Sequence, residues 1–267
     1  MKDIINIFCN TYPDSIRVKK EMTKRLESHG YEVSEEYNDK ARLNLVIGGD
    51  GTFIQACHTS NFSSIPFIGI NTGHLGFYQE IPPDKLDYAM EAILKKELKV
   101  QQLKLIECEI HTEKERHTFL ALNEVVFKSK YANIIHFSMY VNEVLLQNFA
   151  GDGVLLATPS GSTAYNLSAG GAILYQTLEG FQITPMAPLR SSIFRTLDKS
   201  VVVPSGTTVR LLTKKRELAS SVISIDGSLK DIEDIKYIEI TLSDKVINKV
   251  IIDDNWFWKN IKDKLIK

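Results

Sequence analysis

The chain is 267 residues long, 43% hydrophobic and 24% charged, the balance of an ordinary soluble globular protein with room for two modest domains. Its formal net charge of −1 provides no basic field to hold a nucleic acid, and no stretch approaches the ~20 apolar residues of a membrane-spanning helix. Cys9, Cys57 and Cys108 stand far apart with no CxxC pairing, and the histidines show no metal-ligand spacing, so free thiols in a reducing cytoplasm are expected.

The opening MKDIINIFCN has an acid at position 3 and only a short apolar run, and reads as a first strand rather than a signal peptide. A helix is expected over PDSIRVKKEMTKRLESHG, with Pro13 near its start, Ile16, Met22 and Leu26 at roughly helical spacing, and Gly30 as a stop. LNLVI is a second strand, a short helix follows GGDG, and IPFIGIN is a third strand. In PDKLDYAMEAILKKEL, Leu86, Met90, Ile93 and Leu94 fall on one helical face. Continuous apolar strands separated by helices predict a parallel sheet buried on both faces, in an N-terminal α/β domain over residues 1–99. Such sheets bind ligands beyond the carboxyl ends of their strands, where GGDG and NTGHLGF both fall.

From about residue 100 the period changes to two. HFSMYVN alternates Phe137, Met139 and Val141 against His136, Ser138 and Tyr140, and KYIEITL does the same with Ile238, Ile240 and Leu242. VVVPSGTTVRLL places a Pro-Ser-Gly turn between two more strands, and His111 and His117 flank a charged TEKER segment expected on a hairpin loop. Residues 100–250 therefore read as a mostly β domain. In the segment 251–267, Trp256, Phe257, Ile261 and Leu265 lie close to one helical stripe, which predicts a helix packed back on the body.

Three stretches carry chemistry. In LVIGGDGTF an apolar strand runs into glycines around an acid, Asp50. One reading is a tight strand-to-helix turn with Asp50 as cap. The other is a seat for phosphate oxygens built from glycine amides (Gly48, Gly49) and a helix start at Thr52, where Asp50 holds an attacking hydroxyl or a Mg²⁺ ion. The stretch 149–171, FAGDGVLLATPSGSTAYNLSAGG, sets glycines and hydroxyls around a strand, VLLAT. SGSTAY should turn the chain into a helix capped by Ser162 or Thr163, with Tyr165 offering a stacking face and SAGGAIL starting an apolar helix. ALNEVVF puts Asn123 and Glu124 in an apolar strand. Both reach one ligand only if the strand ends or bulges there; otherwise Asn123 makes a structural hydrogen bond and Glu124 is exposed.

GGDGTF, GINTGHLGF, LNEVV, GDGVLLATPSGSTAYNLSAGG and SIDGS occur in the order found in the NAD kinase family, which this chain resembles over most of its length. TPSGSTAYNLSAGG is far more specific than GGDG, which lipid kinases and phosphofructokinases also carry in related form. The resemblance implies an N-terminal α/β domain with a C-terminal β-rich one. It implies transfer of the terminal phosphate of ATP, in some members also polyphosphate, to the adenosine-ribose 2′-hydroxyl of NAD. It further implies a divalent metal ion, Mg, whose ligands stay unassigned, and a homodimer or homotetramer. It makes Asp50 the catalytic acid that accepts the hydroxyl proton, with Gly51 beside it against the substrate. It sets Asn123, Glu124, Asp152, Thr163, Ala164, Tyr165, Asn166, Leu167, Ser168 and Ala187 around the dinucleotide, and Asp226 with Gly48, Gly49 and Thr52 on the phosphate-donor side. Many members have a basic residue two positions before the aspartate of the second GDG; Ala150 stands there in this chain, which bears on affinity and donor choice. Two other readings compete. A diacylglycerol-type lipid kinase needs a basic or apolar membrane-facing surface and leaves TPSGSTAYNLSAGG without a purpose. A non-catalytic dinucleotide sensor has no use for the acid at position 50.

Overall fold

The computed structural model describes residues 2–73, 76–95, 97–189 and 196–266. The chain divides into two compact units, Met1–Gln102 with Ile247–Lys267, and Leu103–Val246.

In the first unit β1 (Ile4–Cys9), β2 (Glu32–Ser34), β3 (Leu43–Gly48) and β4 (Phe67–Asn71) pair in parallel in the order β2-β1-β3-β4. Parallel neighbours require crossovers, which α1 (Pro13–Ser28) and α2 (Asp50–Thr59) supply. All residues of β3 and β4 are buried, which is why, Asn44 and Asn71 apart, they read as apolar runs. The stripe that α1 lays on the sheet is Ser15, Val18, Met22 and Leu26, one residue every turn. Ile16 is exposed; Val18 holds the place on the core face that the spacing gave it. In α3 (Leu86–Leu94), Leu86, Ala89, Met90 and Ile93 are buried, whereas Leu94 is 42% exposed because it has rotated past the stripe in the last turn.

The second unit is antiparallel. β5 (Val100–Thr112) and β6 (Arg116–Ala121) form a hairpin, with His111 and His117 on its strands rather than on its turn. There follow β7 (Glu124–Ser129), β8 (Ile135–Val141), β9 (Val144–Gly151), β10 (Gly153–Ala157), β11 (Gly180–Met186), β12 (Val201–Pro204), β13 (Val209–Thr213), β14 (Ser221–Ile225), β15 (Ser228–Lys230) and β16 (Ile235–Val250). One sheet runs β12-β11-β10-β7-β14-β15, and the other holds β16-β13-β8-β9 with β5 and β6. The Pro-Ser-Gly turn thus joins β12 and β13 in two different sheets. Phe127, Phe137 and Phe149 pack ring to ring in the core, at centroid separations of 5.4 and 4.7 Å.

The last residues of β16 belong to the first unit, where Lys249 pairs with Phe67 beside β4. Glu80, itself buried, pairs with the buried Lys249 ammonium and accepts the N–H groups of Ile252 and Asp253 at 2.9 Å. This ties the chain beyond β16 to the strip 76–80. There α4 (Trp256–Ile261) buries Phe257 and Asn260, and Leu265 is exposed. The expected stripe fails at that end because the chain changes its winding to a π-type turn over Lys262–Ile266, which shifts the facing residues.

Candidate active site

The order β2-β1-β3-β4 sends the chain one way from β1 and the other way from β3, so a crevice opens beyond their carboxyl ends. The LVIGGDGTF turn sits at that place. α2 begins at Asp50, with Gly49 before it and no side chain capping its first N–H groups. Those groups carry the positive end of the helix dipole, and that of Thr52 turns back to the Gly49 carbonyl at 2.9 Å. Asn10, at the end of β1, donates from Nδ2 to Thr52 Oγ1 at 3.0 Å, joining the two strand ends. Gly49 and Gly51 have open space where a side chain would stand.

Asp50 is not the bare acid suggested by its glycine neighbours. The N–H of Phe77 donates to both of its oxygens, at 2.9 and 3.0 Å, and the N–H of Tyr78 to Oδ1 at 3.1 Å. A Cβ on Gly76 would lie 2.4 Å from Oδ1, so that glycine makes room for the carboxylate. Gln79 donates from Nε2 to the Gly49 carbonyl at 2.7 Å, so the strip 76–79 fixes both the acid and the turn. Lys264 Nζ stands 3.6 Å from Asp50 Oδ2 and 4.6 Å from the centre of the Phe77 ring. The side chain of Asp50 remains 31% exposed. His74 and Leu75 of the NTGHLGF loop lie outside the described residues.

The second unit gathers the other predicted residues. β7 starts at Glu124, so the strand ends at Asn123 and both side chains can turn inward; both are buried. The expectation of an exposed Glu124 does not hold. The carboxylate of Asp226, at a positive φ of 47°, accepts the N–H groups of Leu122 (2.8 Å), Asn123 (2.7 Å) and Glu124 (3.1 Å). Asp226 thereby braces the LNE turn. Gly161 packs so tightly that a Cβ there would lie 2.0 Å from the Asn123 carbonyl oxygen. Thr158 completes the brace, its hydroxyl bonding to Leu122 O and its N–H to Asn123 O.

Glu124 Oε2 is buried with no hydrogen-bond partner among the described residues. Burial first, and the nearby Asp226 charge second, push its pKa up to about 8. The group is therefore a neutral acid at physiological pH, able to donate a proton to a ligand's acceptor. Ser160 Oγ is likewise buried and unpartnered among the described residues.

The stretch 160–168 forms a 3₁₀ turn, Ser160–Thr163, and one short helical turn, Tyr165–Ser168. Neither Ser162 nor Thr163 caps it. Ser162 Oγ instead donates to the Pro159 carbonyl at 2.6 Å and accepts the Leu174 N–H at 2.9 Å. No helix starts at SAGGAIL, because Asn166 and Gln182 take up the Ala172 backbone in place of helical partners. Asn166 is a buried fastener whose amide binds Ser162 O, Ala172 O and the Thr184 hydroxyl. Thr163, Ala164 and Leu167 are half-buried, and Ser168 and Asp152 are exposed. Tyr165 is 39% exposed, with Lys128 Nζ 5.4 Å from its ring centre. Ala187 is exposed at φ 41°, and its carbonyl closes over Gly151. Ala150 is fully buried on β9.

Among the described residues no group of three or more His, Cys, Asp or Glu side chains could hold a metal ion. Sequence reasoning missed Lys264, because an amphipathic segment rich in lysine reads as a solvated face, and it missed the bracing by Asp226, because no local pattern reveals which N–H groups a distant carboxylate meets.

Models of the ATP-NAD kinase N-terminal and C-terminal domains match residues 2–98 and 122–252. A NAD kinase of Finegoldia magna is 41% identical over 98% of each chain. A NAD kinase 1 of Oceanobacillus iheyensis is 32% identical over 94% of each. Among solved structures, the yeast NADH kinase complexed with NADH superposes with a TM-score of 0.86 at 20% identity, covering 99% of this chain and 87% of that one. An NAD kinase of Archaeoglobus fulgidus in complex with ATP gives 0.76 at 24%, covering 97% and 96%. At these identities the superpositions speak for the fold.

Proposed function

From its place in the ATP-NAD kinase family, to which the chain belongs, we propose that it transfers the terminal phosphate of ATP to the adenosine-ribose 2′-hydroxyl of NAD, yielding NADP and ADP. The observation that carries this reading is Asp50, fixed at the uncapped start of α2 between two glycines with open flanks. Uncapped N–H groups and a helix dipole suit phosphate oxygens. A carboxylate beside them has one useful task, to orient a hydroxyl and take its proton. A sugar hydroxyl is a very weak acid, so its proton moves late, as the oxygen–phosphorus bond forms in a loose transition state. Until then Asp50 holds the hydroxyl by a charge-assisted hydrogen bond, and the Phe77 and Tyr78 N–H groups keep its oxygens aimed.

Asn123, Glu124 and Tyr165 supply an inward amide, a neutral acid and a partly exposed ring, a set fitted to an adenosine or nicotinamide moiety. The residues do not fit a resident metal: Asp50 faces N–H groups and an ammonium, and no acidic cluster adjoins it among the described residues. Mg²⁺ accordingly enters as part of the Mg–ATP substrate. A seat made of backbone amides reads only the phosphate tail, so polyphosphate is a second donor to assay. Val144, Leu145 and Leu146 stand exposed in a row on edge strand β9, which supports a homodimer or homotetramer. Free thiols, two of them buried, suit a cytoplasmic protein.

The test is NAD with ATP and Mg²⁺, followed by an NADP-specific readout, on the wild type and on Asp50→Asn. Turnover of the variant should fall ~10²–10⁴-fold, the range for losing a general base, with NAD affinity changed less than about tenfold. Near-normal turnover would falsify the base role, and activity restored only by high Mg²⁺ would make Asp50 a metal ligand instead.

A further inference from the structure

We propose that Lys264 is a phosphate-binding residue that leaves its resting place on Asp50 to hold the transferred phosphoryl group of the donor. The proposal rests on the reading of Asp50 given above. Four observations carry it. The ammonium stands 3.6 Å from Asp50 Oδ2, beyond a normal hydrogen bond, so the contact is a loose one. Asp50 does not need it, since both its oxygens already accept N–H groups from Phe77 and Tyr78. The Lys264 side chain is 26% exposed and that of Asp50 31%, and their heads meet, so both reach the same opening at the start of α2. The ammonium also rests 4.6 Å from the centre of the Phe77 ring, a cation–π contact that guides it without locking it.

The segment bearing Lys264 is held by the same strip that grips the acid. Phe77 gives its N–H to Asp50 and its ring to Phe257, at 6.3 Å between centroids. Three residues on, Glu80 binds Lys249 and the N–H groups of Ile252 and Asp253. A triphosphate entering at α2 brings several negative charges toward a carboxylate, and the uncapped N–H groups alone offset little of that repulsion. A lysine on a flexible four-carbon stem can move from carboxylate to phosphate as the donor arrives. In the step itself the 2′-hydroxyl oxygen bonds to the terminal phosphorus. The bond from that phosphorus to the bridging oxygen breaks, its electron pair goes to ADP, and the hydroxyl proton goes to Asp50. The ammonium lies where charge spreads over the equatorial oxygens and exchanges no proton.

Lys264→Met and Lys264→Arg test this, with kcat, KM for Mg–ATP, KM for NAD and melting temperature measured for each. Lys264→Met should lose about 10²-fold in kcat/KM for Mg–ATP, the scale for one donor aimed at developing charge, and Lys264→Arg should recover most of it. KM for NAD and the melting temperature should stay near wild type. Values for Mg–ATP within about twofold of wild type in Lys264→Met would overturn the proposal, as would equal losses for both substrates together with a lowered melting temperature. Should Lys264→Met fold poorly, calorimetric titration of Lys264→Gln with tripolyphosphate decides: undiminished binding overturns the proposal, and weakened binding supports it. A wild type that makes no NADP marks failure of the kinase reading; an active wild type with an unaffected Lys264→Met marks failure of this one.

Discussion

Replacing Glu124 by Gln should raise the stability of the protein, and by more as the pH rises. An unfolded glutamate ionises above about 4.5, whereas the buried carboxyl keeps its proton up to about 8. Between those limits folding takes up a proton, so wild-type stability falls with rising pH at about 1.4 kcal/mol per pH unit. Below about 4.5 both states are protonated and nothing is lost; above about 8 both are ionised and the loss is constant. By pH 7 the cost is roughly 3 kcal/mol. Glutamine has the same shape and no proton to gain. At roughly 2–4 °C per kcal/mol, the variant should melt about 6–12 °C above wild type at pH 7, and at nearly the same temperature near pH 4.5. The assay is calorimetric melting of both proteins from pH 4.5 to 8.5 without ligand. Parallel curves across that range would refute the reasoning and mean that the carboxyl is ionised in the folded protein.

Two residues give further predictions with Asp50, Lys264 and Glu124 set aside. Asp226→Ala strips the acceptor from three N–H groups and should cost at least about 3 kcal/mol in urea unfolding, whereas Asp226→Asn, which tolerates the positive φ and keeps one oxygen, should cost less. Tyr165→Ala should weaken NAD binding by about 1–2 kcal/mol in a calorimetric titration while leaving the ligand-free melting temperature nearly unchanged, since the ring is already 39% exposed. A variant that unfolds early yet binds normally would make Tyr165 a packing residue.

The parallel sheet was legible because β3 and β4 are buried along their whole length, and a strand with two covered faces leaves a mostly apolar run without alternation. The period-two strands around Phe137 and Ile238 were legible for the opposite reason, one face covered and one open. The errors fall where a distant residue decides a local outcome. Ala172 is kept out of a helix by Gln182 and Asn166, and Ser162 is drawn from a cap by the Leu174 backbone. The N–H groups that Asp226 braces lie about a hundred residues away, in the turn before β7. Propensity and spacing carry no information about such partners.

Glycine is where the two kinds of information separate. At Gly76 and Gly161 the protein itself excludes a side chain, since a Cβ would meet Asp50 in one case and the Asn123 carbonyl in the other. These glycines exist for the scaffold: they let a carboxylate and a turn be gripped by backbone. Gly49 and Gly51 have no such cause, for neither has a positive φ and nothing lies within 4 Å of the Cβ each lacks. Glycine at the cap or in the first turn gives up the side-chain cap that Ser, Asp or Asn would supply, which is of use where something must come close to the bare backbone. Both flank Asp50, both lie at the uncapped end of α2, and both open on the crevice beyond β1 and β3. Once the demands internal to the fold are subtracted, the remaining glycines fit the footprint of a molecule that touches main chain, and beside it stand an anchored acid and a loosely held ammonium. A phosphate group passing from one oxygen to another requires that combination: amides and a cation for its charge, and an oriented carboxylate for the proton of the oxygen that receives it.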